Sequence, residues 1–257
     1  MNRFLISFFL VILVFSSTGA QRAHRQSAGT TPSKTDCPEV YDITDCPDQG
    51  CGGRYDPDLN KQKDRLDNNQ QPTPRSIQWL KELKSPPKTD FCGTDKRDRS
   101  QLPEEGQKIT VVAWALGARK GSKESCNCGL RLPKDTDNHI VLMDPATSNP
   151  TLDDENNSLT AEFTPRVRLT HPNFTQENLE PLIDPDWGPG DSPSKGKLLV
   201  RVTGFLMFDS EHYCGRPVPK GRYNNWEIHP VLKMEYCPEA KTCRADSDEN
   251  WKDLDSE

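Results

Sequence analysis

Segments of alternating apolar and polar residues beyond residue 104, a longer connection between the third and fourth of them, and nine cysteines in a polar chain predict a mainly β protein. The expected architecture is a five-stranded OB-like barrel, preceded by a small Cys-containing, partly helical N-terminal region. Only 32% of the 257 residues are hydrophobic and mean hydropathy is -0.83. One modest core with long polar attachments therefore fits better than one tightly packed domain of full length.

Asn2-Arg3, the apolar run Phe4 to Phe15 and the small residues Ser16 to Ala20 have the three parts of a signal peptide over residues 1–20. The run is short of the roughly 20 residues a membrane span needs, and no second hydrophobic stretch follows. A secreted or periplasmic chain, with no membrane span after signal cleavage, is the expectation. Residues 21–36 are polar and aperiodic, a disordered leader.

Residues 37–100 form the Cys-containing segment with short helices. Cys37, Cys46, Cys51 and the turn Gly50-Cys51-Gly52-Gly53 suggest a small disulfide knot. Asp56-Pro57-Asp58 supplies an N-cap, a proline at the first helical position and an early acid, so a helix starts there and runs toward Leu66. A second spans Ser76 to Lys84, with Ile77 and Leu80 on one face, and Ser85-Pro86-Pro87 ends it.

The barrel is expected over residues 104–243. Its first two strands are Ile109–Leu116, apolar on both faces, and His139–Met143. In the third, Ala161, Phe163, Pro165, Val167 and Leu169 alternate with Thr160, Glu162, Thr164, Arg166 and Arg168. The fourth, Leu198–Asp209, is apolar on both faces in its second half; the fifth, Trp226–Tyr236, opposes Glu227, His229 and Lys233 to Trp226, Ile228 and Leu232. A short helix at Thr175–Ile183 falls between the third and fourth strands, as the OB plan requires, although Pro181 sits inside it. Pro165 and Pro230 interrupt the third and fifth strands, which places those two at a loose seam of the barrel. A small β-sandwich is the alternative that alternation alone allows. Residues 244–257 read as a solvated acidic tail.

Cys37, Cys46, Cys51, Cys92, Cys126, Cys128, Cys214, Cys237 and Cys243 all follow the signal peptide, and in an oxidising compartment they are disulfide candidates first. Structural zinc competes, but no CxxC pair occurs. The odd count leaves one thiol free or paired between chains. Net charge is -6, and losing residues 1–20 removes Arg3 alone. An acidic chain with no basic run is a poor general binder of nucleic acid or anionic membrane.

Ser125-Cys126-Asn127-Cys128, Asp137-Asn138-His139-Ile140-Val141-Leu142, the run Arg201 to His212 and Trp226-Glu227-Ile228-His229-Pro230-Val231 resemble stretches of uncharacterised exported bacterial proteins with an OB-like β-barrel domain. Gly50 to Asn68, with its Asp-Pro-Asp-Leu-Asn core, is similar to the part preceding that domain in some of them. The resemblance implies export and the barrel. It carries no activity and no catalytic residues.

Three histidines, His139, His212 and His229, sit in or beside strands and near the carboxylates Asp137, Asp209, Glu211 and Glu227. Residues two apart in a strand share a face, so Asp137 can meet His139 and Glu227 can meet His229. Such sets serve zinc or acid-base chemistry, although a surface histidine bonded to a neighbouring carboxylate is the plainer reading. Arg166 and Arg168 on the polar face of the third strand would complete an Arg-His-Glu surface for an anion. Parity puts Trp226 and Ile228 in the core and His229 on the exposed side, so His229→Ala would spare folding. The function expected is a non-enzymatic OB-type module binding an extracytoplasmic ligand or protein, with no cofactor. The alternative is a metal-assisted phosphodiesterase or nuclease using zinc or another divalent metal on the His/carboxylate cluster.

Overall fold

The computed structural model describes residues 37, 39–53, 55–67, 69–92, 97–191, 196–215 and 221–256. The signal peptide and leader expected over residues 1–36 lie outside the described residues. Among the described residues, seven strands form one sheet: β1 (Thr73–Arg75), β2 (Lys108–Lys120), β3 (Asn138–Met143), β4 (Leu159–Phe163), β5 (Leu198–Phe208), β6 (Trp226–Cys237) and β7 (Lys252–Asp253). The order β2-β3-β4-β6-β5 closes on itself through β2–β5 pairing, giving a five-stranded barrel with β1 and β7 as additions. All barrel pairs are antiparallel except β4–β6, which are parallel. That is the strand order of an OB barrel, as the sequence predicts.

The β4–β6 seam consists of only two residue pairs, Thr160 with Glu227 and Ala161 with Ile228. It lies between the two proline-bearing segments. Pro230 is accommodated where the β5–β6 register shifts, next to Gly204. A side chain at Gly204 would put a Cβ 2.4 Å from Pro230 O, so glycine lets the strands close at this bulge.

Alternation explains the core. Ile109, Val111, Ala113 and Ala115 of β2, Ile140 and Leu142 of β3, Ala161 and Phe163 of β4, and Trp226 and Ile228 of β6 belong to one buried cluster. Strands apolar on both faces have a second cover. Leu116, Val141 and Met143 pack outside with Trp114 and Leu152, and the Arg65 guanidinium lies 4.1 Å over the Phe205 ring. Between β4 and β5, helix α5 (Gln176–Ile183) buries Leu179 and Ile183, and the Glu180 carboxylate accepts the Ala118 amide beyond the bulge in β2. It begins at the Thr175 N-cap, and Pro181 is accommodated inside it.

The N-terminal region has the expected helices. Asp56 caps α1 (Pro57–Lys63) by accepting the Leu59 amide at 3.0 Å, and Ser76 caps α2 (Ile77–Glu82) by accepting that of Trp79 at 3.1 Å. β1 and a third helix, α3 (Lys88–Phe91), carry no strong sequence signal and follow from packing: Phe91 meets Phe208 and Tyr213 edge-on. Disulfides join Cys37–Cys51, Cys46–Cys128, Cys92–Cys214 and Cys237–Cys243, and Cys126 is a buried free thiol. No helix among the described residues is long and apolar enough to cross a membrane.

Two expectations need correction. The third strand stops at Phe163; Thr164 then caps a helical turn, α4 (Pro165–Arg168), by accepting the Val167 amide. Thr-Pro is an N-cap followed by N1, and the apparent alternation beyond it came from a helix whose Val167 faces the core. The acidic C-terminus is solvated over most of residues 244–250, as expected, but its last residues are docked. β7 pairs with β6, Leu254 is 2% exposed in the main core, Asp255 binds His171, and Arg201 sits 5.0 Å over Trp251.

Candidate functional site

On β6 the alternation turns Glu227 and His229 away from the barrel core, yet they are 1% and 0% exposed. The side expected to be solvent-facing is covered. Helix α1 packs over β6, and the loop after β2 is tied to the N-terminal region by Cys46–Cys128. Gly50 passes so close to that loop that a Cβ would fall 2.0 Å from Ser125 O, at a φ of +63°. A third cover is the segment after β5, with helix α6 (Ser210–Gly215) and Arg222. Polar side chains of β3, β4 and β6 thus form a buried ionisable layer between barrel and cover.

Within it, antiparallel register sets His139 opposite Glu162, with Nε2 3.5 Å from Oε1. His229 lies beyond, its Nδ1 3.1 Å from Glu162 Oε2 and its Nε2 4.0 Å from Asp137 Oδ2. Neither contact has hydrogen-bond geometry. Lys63 of α1 pairs with Glu124, and Arg222 donates to Glu227 and, at 2.6 Å, to Asp209. Asp209 also binds Nδ1 of His212. Asn127 donates to Asp137 at 3.0 Å.

The protonation states follow from this crowding. Burial opposes ionisation of Glu162, but His139 and His229 on either side hold its carboxyl well below the usual range. Burial likewise opposes Asp209, and His212 with Arg222 holds it low. Asp137 goes the other way: burial, with Glu124 and Glu162 nearby, raises it to about 6. Burial opposes the His229 imidazolium, and Glu162 outweighs it to raise the pKa.

A cavity of about 160 Å³ opens into this layer, lined among others by Glu124, His139, Glu162, His212, Arg222 and Glu227. A second, of about 530 Å³, shares Glu124 and His212 with it and is walled by Cys51, Gly53, Ser122, Ser125 and Glu211. Of the residues expected from sequence, His139, His212 and Glu227 line the smaller cavity and His229 lies behind it against Glu162. Arg166 and Arg168 do not join them. Arg166 is buried on Asp64 at 3.0 Å and on the carbonyls of Cys46 and Pro47. Arg168 is spent on the carbonyls of Thr136, Lys134, Phe163 and Phe174. The expected Arg-His-Glu surface is therefore absent, because α4 replaces the end of a strand and both guanidinium groups serve as cross-links.

Sequence reasoning missed Lys63, Glu124, Glu162 and Arg222. Glu162 was detectable in principle, since it stands on the polar face of the strand consecutive to that of His139. The other three come from the cover and carry no local signal. No family model matches the chain, and no curated protein matches it.

Proposed function

We propose that the chain is an exported OB-type binding module whose extracytoplasmic ligand enters the cavity walled by Glu124, His139, Glu162 and His212. The observation that carries this reading is a pair of cavities, of about 160 Å³ and about 530 Å³, that share Glu124 and His212 in their walls. At about 30 Å³ per water, the smaller takes a few waters, an ion or one polar group. It is below the roughly 300 Å³ of ordinary small-molecule sites, so a larger ligand would rest its remainder in the neighbouring cavity. Four disulfides and the signal-like N-terminus support export.

The second reading, a metal-assisted phosphodiesterase or nuclease, draws on one observation. Asp209 fixes His212 through Nδ1 at the boundary of both cavities, the arrangement of an oriented general base. Against it, Arg222 and Lys63 are committed to carboxylates and offer little to a phosphodiester.

Thermal-shift measurements with zinc chloride, magnesium chloride, sodium phosphate and sodium acetate test the first reading. A stabilising probe whose effect is lost in His139→Ala or His212→Ala supports it. A probe that acts equally on both variants and the parent binds elsewhere. Hydrolysis of bis(p-nitrophenyl) phosphate that His212→Ala abolishes would move the assignment to the second reading.

A further inference from the structure

Glu124, His139 and Glu162 come from three separate segments, and their ligand-capable atoms all lie within 4.8 Å of one another. All three line the smaller cavity. Glu162 has a side chain only 5% exposed; Nε2 of His139, 3.5 Å from Glu162 Oε1, is buried without a hydrogen-bond partner, and so is Glu162 Oε2, which faces His229 Nδ1 at 3.1 Å. Unsatisfied polar atoms in a native interior call for an explanation, and an ion is one of the standard ones.

Charge points the same way. Five carboxylates, Glu124, Asp137, Glu162, Asp209 and Glu227, share this layer with two fixed cations, Lys63 and Arg222. Arg119 balances Glu155, whereas burial raises Asp64 to about 8, so Arg166 adds a third cation and His229 a fourth while it is protonated, against the five carboxylates. An excess of buried carboxylate attracts a further cation strongly, because water does little screening there.

We propose that Glu124, His139 and Glu162 bind one divalent metal ion of the zinc or manganese kind, with its open coordination positions facing the cavity. This rests on the cavity being the ligand site and names that ligand. Two carboxylates and an imidazole suit such ions better than calcium, which takes oxygen ligands almost exclusively. Three protein ligands leave a fourth position for water or another donor. Ligand atoms around zinc stand about 3.4 Å apart at bond lengths of about 2.1 Å, so the set must contract by at most about 1.4 Å. His139 and Glu124 are the more exposed members, with side chains 38% and 17% exposed, and Glu124 would give up part of its pairing with Lys63 to the metal. The neighbouring triad Asp137, Glu162 and His229 is a poorer choice, since only Glu162 reaches the cavity and an ion would lack an entry path. Cys37, Cys51 and Cys128 also cluster, but all three are in disulfides.

The test is isothermal titration of the oxidised, chelator-stripped chain with zinc chloride, manganese chloride and calcium chloride in separate runs. Zinc and manganese should bind with a stoichiometry of about one, and calcium more weakly. His139→Ala and Glu124→Gln should each weaken zinc by more than about tenfold, the loss that even an outer-shell partner causes, whereas His171→Ala should not. Near-UV circular dichroism of each variant reports that it is folded. Absence of zinc and manganese binding, equal binding of calcium, or zinc affinity unchanged in both variants overturns the proposal. A phosphate arm separates this failure from that of the wider reading. Sodium phosphate bound in a His212-dependent way, with no metal bound, overturns the metal site and leaves the cavity as the ligand site. Zinc affinity indifferent to His139→Ala, Glu124→Gln and His212→Ala together overturns both.

Discussion

His139 on β3 and Glu162 on β4 stand directly opposite each other across an antiparallel pair, and Glu162 reaches His229 on its other side. A single carboxylate thereby joins a half-exposed histidine at the cavity to a fully buried one behind it. His229 is the residue on which simple alternation is most misleading. His229→Ala removes the imidazole between Glu162 and Asp137 and leaves two buried carboxylates facing each other. It should cost about 3 to 5 kcal/mol, as losing one partner of a buried ion pair does. Ile228→Ala should fall in a similar range of about 2 to 5 kcal/mol. Urea unfolding of both variants checks this; a cost for His229→Ala of about 0.5 kcal/mol or less would mean that its side chain is not held as described.

The stability of the metal-free protein should decline from weakly acid toward weakly alkaline pH. Asp137 titrates at about 6 in the folded chain, above its ordinary value. Its contribution is complete below about pH 4 and lost as pH rises through 6. His229, also raised, adds a loss above its ordinary value near 6.5. Glu162 and Asp209 are held low, so their contribution is present above about pH 4 and lost on acidification. Asp64, which burial raises to about 8 despite Arg166, extends the loss, so stability should peak near pH 5 and fall by roughly 4 to 6 kcal/mol toward pH 8. Denaturation midpoints across that range provide the check, and a flat or rising profile from pH 5 to 8 would count against the buried Asp137.

Cross-links should matter in proportion to the chain they close. Replacing Cys46 and Cys128, 82 residues apart, with serine should cost about 4 kcal/mol. Replacing Cys237 and Cys243, six apart, should cost about 2 kcal/mol. The first pair also holds the cover over the ionisable layer, so hydrogen exchange at Glu227 and His229 should accelerate in that variant. Native alkylation should leave Cys126 unmodified, since burial pushes its thiol up and shields it, and unfolding without reductant should expose one thiol.

Leu254→Ala tests the docked C-terminus. A side chain 2% exposed in the main core should cost about 2 to 4 kcal/mol on truncation, whereas a solvated tail would show almost none. Thermal unfolding decides between them.

The barrel was legible because period-two alternation survives wherever one strand face meets a core, as in Ala161 with Phe163 or Trp226 with Ile228. The end of the third strand was misread because Thr164-Pro165-Arg166-Val167 satisfies both alternation and a capped helical turn. At the site, parity gave the correct face for Glu227 and His229 and the wrong surroundings. What covers that face is Lys63, 164 positions before Glu227 in the chain, and nothing local to β6 announces it. Arg166 and Arg168 looked like free surface charge for the same reason: their partners, Asp64 and distant carbonyls, are set by tertiary packing.

The most direct test of the metal site in this cavity is an anomalous difference map from crystals soaked in manganese(II) chloride. The account expects one dominant peak bounded by Glu124, His139 and Glu162, absent from crystals of His139→Ala. Peaks only elsewhere on the surface, with ordered water alone in the cavity, would contradict it.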